Sequence, residues 1–188
     1  MVRDEKFLAL LSGVFGHRFQ TVYMPVNMPV AAENLVRTSG KRVVRTKTGL
    51  NDFMEELLNG GEQEQFQLYA DGLYAALRLL EYLSQEDVDL TTVIDTLPDF
   101  NYHKREIAVP WEYKGRVIRK LAEGGAREAS QNYMEGVRLE SPNGWSLILP
   151  DEERPVCRIY TEGFSQEVAE SLTDFCVEKI KQICQEED

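Results

Sequence analysis

Apolar positions along the first hundred residues alternate between helical spacing and short extended runs. Phe7, Leu8, Leu10, Leu11 and Val14 form the stripe of an amphipathic helix. The run Thr21-Val22-Tyr23-Met24-Pro25-Val26 is extended, and its proline predicts a strand end. Pro29 opens a second helix to about Ser39, with Gly40 placed to end it. Arg42 to Thr46 predicts a second strand. Asn51 is positioned to cap a helix that begins at Asp52 and stops at Gly60-Gly61. Ala70 to about Gln85 reads as the longest helix, with Leu73, Ala76, Leu77, Leu80 and Leu83 on its apolar face. A short helix from Thr91 to Leu97 follows, closed by Pro98, and Pro98 to His103 reads as a linker.

The pattern then changes. Glu106 to Val109 is strand-like and Trp111 to Glu123 helical, and Gly124-Gly125 starts a polar loop. Val137 and Leu139, then Trp145, Leu147 and Leu149, then Val156 to Tyr160 alternate with period two. Pro142-Asn143-Gly144 and Pro150 to Pro155 supply the turns between these three strands. A last helix from Ser165 carries Val168, Leu172, Phe175, Cys176, Ile180 and Ile183 at helical spacing. The expected fold is an α/β three-layer domain over residues 1–98, with an incomplete, mostly parallel sheet. An α+β domain over 99–188 follows, with an antiparallel sheet and helices on one face. Two strands make a poor sheet, so the first domain is expected to have an unfilled edge, met by a strand before residue 1 or by another chain.

Charge narrows the partners. The formal net charge of −11 disfavours phosphate backbones and anionic lipid, so neither nucleic acid nor membrane is an expected partner. No stretch approaches the roughly 20 apolar residues of a membrane span, and the first residues lack a signal-peptide pattern; the expected location is the cytoplasm. The three cysteines, Cys157, Cys176 and Cys184, lack zinc-site spacing and read as small core residues. Asp87-Val88-Asp89 is the only D-x-D and reads as a helix cap, and no metal ligand set is found.

Several segments resemble a known family. Gly40 to Gly49 is similar to the G-x-x-V-x-x-T-K-T-G stretch in the third domain of the α-D-phosphohexomutases (phosphomannomutases and phosphoglucomutases). Asp71-Gly72-Leu73-Tyr74-Ala75-Ala76-Leu77-Arg78-Leu79-Leu80-Glu81 resembles the family's D-G-I-x-A-A-L-R-L-L-E helix. Glu135 to Leu139 resembles the fourth domain's D-G-V-K-V, and Gly144 to Glu162 its two-strand segment ending in L-R-V-Y-V-E. The succession holds from about residue 4 to the end and implies the family's third and fourth domains.

The resemblance also implies what is missing. The family's phosphoserine and its magnesium-holding D-x-D-x-D-R loop belong to domains that this sequence does not contain, so no cofactor is expected in this chain. Where the family has G-E-x-S-G-H, the sequence reads Gly60-Gly61-Glu62-Gln63-Glu64-Gln65-Phe66: Glu62 matches, and the Ser, Gly and His are absent. Aligning Pro155 with the proline of the phosphate-gripping R-P-S-G-T-E-P loop puts Leu149 at the Arg, Asp151 at the Ser and Glu153 at the Thr. Consecutive carboxylates repel a phosphate dianion at short range, and one arginine, Arg154, does not offset them. An exposed, polar hairpin tip is the plainer account of the segment. The substrate-binding candidates left in these degenerate loops are Lys47, Glu62, Arg154 and Arg158; no catalytic residue is assigned.

Pro25-Val26-Asn27-Met28-Pro29 and Pro150 to Pro155 also resemble the P-V-x-x-P and acidic P-D-x-x-x-P of a degenerate form fused to sugar-phosphate nucleotidyltransferases. That likeness implies a non-catalytic, structural or regulatory C-terminal module of a mannose-1-phosphate guanylyltransferase-like parent, partnered by upstream domains. Two alternatives are the substrate-binding half of an active mutase, with a sugar phosphate as ligand, and a homo-oligomerisation module.

Overall fold

The computed structural model describes residues 4–124, 130–133 and 135–186. They fall into two compact units, Met1–Phe100 and Asn101–Asp188.

In the first unit, α1 (Asp4–Phe15), β1 (Thr21–Pro25), α2 (Val30–Thr38), β2 (Arg42–Thr46) and α3 (Leu50–Asn59) are followed by α4 (Gln63–Ala70), α5 (Gly72–Glu86) and α6 (Leu90–Asp95). β1 and β2 pair in parallel from Thr21↔Arg42 to Pro25↔Thr46. Side chains alternate across a strand, so Val22, Met24 and Val43 join Leu10, Leu11 and Phe15 of α1, Val36 of α2 and Ala75 and Leu79 of α5. Tyr23 turns the other way, onto Phe53 and Leu57 of α3. Three layers result, as the alternation of elements predicts.

The turn after β1 is tightly tied. Met28 N–H donates to Pro25 O, and Arg45 Nη1 reaches both the Pro25 and Met28 carbonyls, at 3.0 and 2.9 Å. Arg45 also pairs with Glu33, which burial would push up in pKa but Arg45 and Arg37 together hold below the usual carboxylate value.

Side chains bond to the backbone along the edge of β1 that faces away from β2. Gln65, fully buried, accepts the Tyr23 N–H at 3.2 Å and donates to the Tyr23 carbonyl at 2.8 Å, as a neighbouring strand would. Glu62 Oε1 accepts the N–H groups of Gln20 and Thr21 at 3.0 and 3.1 Å. Pro25 lies two residues beyond Tyr23 on that side, where a missing N–H breaks no ladder bond.

Three expectations are corrected. α3 starts at Leu50 with Gly49 before it and no side-chain cap, so Asn51 lies inside the first turn. The Gln63–Ala70 segment is a helix rather than the loop expected there; it has no Gly or Pro to stop one, and Asp71 ends it while capping α5 through the N–H groups of Leu73 and Tyr74. The apolar face of α5 is also different. Leu73, Leu77 and Leu80 are 72%, 58% and 62% exposed, while Ala75 and Leu79 are buried and Tyr82 packs edge-on against Phe15.

The second unit contains β3 (Tyr102–Ala108), α7 (Trp111–Gly124), β4 (Ser130–Tyr133), β5 (Gly136–Ser141), β6 (Gly144–Pro150), β7 (Val156–Gly163) and α8 (Gln166–Gln185). The sheet order is β3-β7-β6-β5-β4, with every neighbouring pair antiparallel. α7 and α8 cover one face: Val117 and Leu121 meet Val137, Ile148, Cys157 and Ile159 of the sheet and Cys176, Val177, Ile180 and Ile183 of α8. Cys157 and Cys176 are core residues, as their setting in the sequence suggests, and burial pushes the Cys157 thiol up to about 11.

β3 begins at Tyr102, so Tyr102 and His103 belong to a strand and not to a linker, and β4 lies in the segment expected as a polar loop. Residues 125–129, the start of that loop, lie outside the described residues. α8, not α5, is the longest helix among those described. Its buried face runs through Ala169, Thr173, Cys176, Val177, Ile180 and Ile183, and Phe175 is 55% exposed. Thr173 takes its inward place through hydrogen bonds: its hydroxyl meets Thr161 Oγ1 at 2.8 Å and His103 Nδ1 at 2.9 Å. Gly144 closes the β5–β6 turn at φ +147, where an added Cβ would stand 2.0 Å from Glu162 O.

Candidate functional site

The richest constellation of charged groups lies where β6 hands over to β7. Residues 151–155 form the connection, and its first side chain points inward. Asp151 Oδ1 accepts the N–H groups of Glu153 and Arg154, both at 2.9 Å. Asp151 Oδ2 accepts from Arg154, with Nη2 at 3.1 Å and Nε at 3.3 Å, and from Arg158 Nη2 on β7. Arg154 then forks onto Glu106 of β3, at 3.1 and 2.7 Å. Arg158 Nε stands 3.4 Å from the same carboxylate. Antiparallel pairing fixes this meeting, because Glu106 and Arg158 are register partners across β3 and β7.

A third cation holds the loop from behind. Lys114 of α7 is buried, donates to the backbone carbonyls of Asp151 and Arg154, and has its ammonium 3.5 Å from the Trp111 ring centroid. The loop's carbonyls thus face an ammonium while two of its amides face a carboxylate.

The exposed-tip expectation is corrected at its first residue. The Asp151 side chain is only 4% exposed, and two guanidinium groups, not one, offset it. The Glu153 amide does most to pull its pKa down to about 2, against the opposing effect of burial; the Arg154 amide and guanidinium and the Arg158 charge add to it. Arg154 likewise holds Glu106 below its ordinary value. A depressed carboxylate stabilises the folded state above its unfolded pKa of 3.8 and loses that contribution as pH falls from there toward about 2. In urea titrations, the stability gap between wild type and Asp151→Asn should therefore be widest above pH 4 and shrink steadily by pH 3. A gap unchanged over that range would show that the charge on Asp151 is idle.

Of the residues singled out in the sequence, Arg154 and Arg158 meet around Asp151. Lys47 and Glu62 belong to the other unit. Lys47 pairs with Asp52 at 2.9 Å on an exposed surface, and the Glu62 carboxylate is engaged by the backbone at the start of β1. Sequence reasoning missed Glu106 and Lys114, whose roles come from strand register and helix placement. Asp151 is visible in the sequence as a carboxylate at the position of the family's phosphate-loop Ser, but its inward turn is not.

No three His, Cys, Asp or Glu side chains among the described residues are grouped to hold a metal ion. Asp87 closes α5 in a left-handed conformation, and Asp89 caps α6 by accepting the Thr92 N–H. Both carboxylates thus stand at helix ends, the place the sequence suggests for them. No helix among the described residues is long and apolar enough to cross a membrane.

Residues 5–100 match the family model for phosphoglucomutase/phosphomannomutase, alpha/beta/alpha domain III. The chain belongs to the phosphoglucomutase/phosphomannomutase family. Its two units correspond to the C-terminal part of family members, domains III and IV. The phosphoglucosamine mutase of Methanococcus maripaludis is 27% identical over 169 residues, which cover 83% of this chain and 38% of that protein. That of Methanococcus aeolicus is 25% identical, over 94% of this chain and 43% of its own length. The chain thus spans about two fifths of the length of the curated relatives it matches. In structure, a phosphoglucomutase/phosphomannomutase family protein from Burkholderia thailandensis superposes with a TM-score of 0.78 at 20% identity, over 100% of this chain and 43% of that one. Parafusin, a phosphoglucomutase from Paramecium, gives 0.70 at 13% identity, again over 100% and 43%. These likenesses establish the shared fold of the family's C-terminal region.

Proposed function

We propose that this chain is a non-catalytic domain III–IV module of a larger phosphohexomutase-like protein, with a structural or regulatory part beside a hexose-phosphate activity. The carrying observation is the segment after α3. Glu62, the residue that resembles the family's sugar-loop glutamate, is bound to the backbone amides of Gln20 and Thr21. Gln65, three residues on, is buried against Tyr23. The segment is a strut of the first unit, and the one carboxylate that would face a hexose already holds the start of β1. The parent activity we favour is a sugar-1-phosphate nucleotidyltransferase such as a mannose-1-phosphate guanylyltransferase. That choice rests on the Pro25–Pro29 and Pro150–Pro155 resemblances. It is tested by assaying the full-length protein for GDP-mannose formation from mannose 1-phosphate and GTP.

The chain itself is tested by calorimetric titration with mannose 1-phosphate, glucose 1-phosphate, glucosamine 1-phosphate and glucosamine 6-phosphate. No binding tighter than about 1 mM, roughly −4 kcal/mol, is expected. Tighter binding that Arg154→Ala abolishes would instead make the chain the substrate-binding half of a mutase, in line with the phosphoglucosamine mutases among its relatives.

A further inference from the structure

We infer that the outward face of α5 is a docking site for an amphipathic helix with basic flanks, supplied by another protein.

Leu73, Ala76, Leu77 and Leu80 stand at i, i+3, i+4 and i+7, and all four are exposed. The other side of the same helix, with Ala75, Leu79 and Tyr82, is committed to the core of the first unit. A helix that is apolar on both sides is ordinarily covered on both. Here nothing in the chain covers the outer row.

Charge decides the occupant. Residues 50–100 carry 12 Asp and Glu against a single basic residue, Arg78, a formal −11 that equals the charge of the whole chain. That one cation is held between Glu64 and Glu81. Glu81, one turn on from Leu77, lines the side of the row, and exposed Glu86, Asp87 and Asp89 follow at its C-terminal end. The C-terminal end of the helix dipole adds to that negative field. A second copy of the chain would set one such segment against another, and like charges facing across an interface are costly. Four side chains are also few beside the roughly 20–30 residues a side of a standard interface. They match the i, i+3, i+4, i+7 anchors by which a single amphipathic helix is recognised. An anionic lipid surface is repelled by the same acids, because helices that lie on membranes carry Lys and Arg on their polar face. A helix with apolar anchors and Lys or Arg beside them satisfies both the row and its rim.

The test is fluorescence anisotropy with a labelled peptide of about 18 residues, long enough to be helical. It has leucines at i, i+3, i+4 and i+7 and lysines elsewhere; a second peptide has glutamates in place of the lysines. Wild type should bind the lysine peptide at least tenfold more tightly than the glutamate peptide, and added salt should narrow the difference. Leu73→Gln/Leu77→Gln/Leu80→Gln should bind the lysine peptide at least tenfold more weakly than wild type at an unchanged melting temperature, since all three side chains are exposed. If that variant does not fold, Leu73→Gln alone, at the most exposed of the three, should still weaken binding at least threefold. Equal binding of the two peptides, or equal binding by wild type and the folded glutamine variants, overturns the inference. So does sedimentation that shows a wild-type dimer and a monomeric triple variant, which would give the face to a second copy. A full-length parent that no longer prefers the lysine peptide would give it to one of the parent's own domains, and the inference falls then too. Sugar-phosphate binding by the chain sinks the functional reading and leaves this face as described, whereas a silent lysine peptide sinks this inference alone.

Discussion

Replacing Gln65 with leucine is expected to lower the stability of the first unit by about 3 kcal/mol. The two side chains are close in size, so the site stays filled and the loss is polar. Gln65 is fully buried, and its amide satisfies both the N–H and the carbonyl of Tyr23. Leucine leaves both backbone groups buried without a partner, at roughly 1–3 kcal/mol each. At about 4–8 °C per kcal/mol for a unit of this size, the melting temperature should fall by roughly 12–24 °C. Gln65→Glu serves as a control. It keeps an acceptor for the Tyr23 N–H but sets a carboxylate against the Tyr23 carbonyl, and should be at least as damaging near neutral pH. A Gln65→Leu chain within 1 kcal/mol of wild type would show that the strand edge does not depend on this amide.

Lys114→Met should lower the stability of the second unit by about 2 kcal/mol. Methionine preserves most of the stem's packing. What is lost is the ammonium that accepts no substitute: it donates to the carbonyls of Asp151 and Arg154 and lies over the Trp111 ring. The Arg154 carbonyl keeps the Val156 N–H, so the larger part of the cost falls on Asp151 O. Chemical denaturation gives the energy. Unchanged denaturation midpoints would mean that the loop holds its shape without this contact.

Much of the fold was legible in the residues, because period-two and helical patterns dictate which faces must be covered. The antiparallel second unit follows from Val137 to Tyr160, and Ser165 caps α8 where the pattern places its start, accepting the Val168 N–H. The misreadings have physical causes. Residues 73–83 are apolar around most of the helix, so two different stripes satisfy the same spacing. The aromatic contact between Tyr82 and Phe15 decides between them, and spacing cannot register it. Thr173, and not Phe175, lies on the buried face of α8, because its hydroxyl pairs there with Thr161 and His103, a polar match that apolar spacing does not register. At the site, the arginines could be singled out from the chain alone. The inward turn of Asp151 could not, because it depends on amides of the residues that follow and on Arg158 from the next strand.

The order of strands also bears on synthesis. β3 is the first strand of its unit to leave the ribosome, yet its neighbour in the sheet is β7, with Tyr102 opposite Glu162. At about 5–20 residues per second, β3 waits seconds for a partner while the intervening chain is made. An unpaired edge over that interval invites other strands to dock. The middle of β3 is His103-Lys104-Arg105-Glu106, a run of polar and charged side chains flanked by Tyr102 and Ile107. Charges along a waiting edge discourage foreign pairing. The same Glu106 that later steadies Arg154 thus guards the nascent chain first.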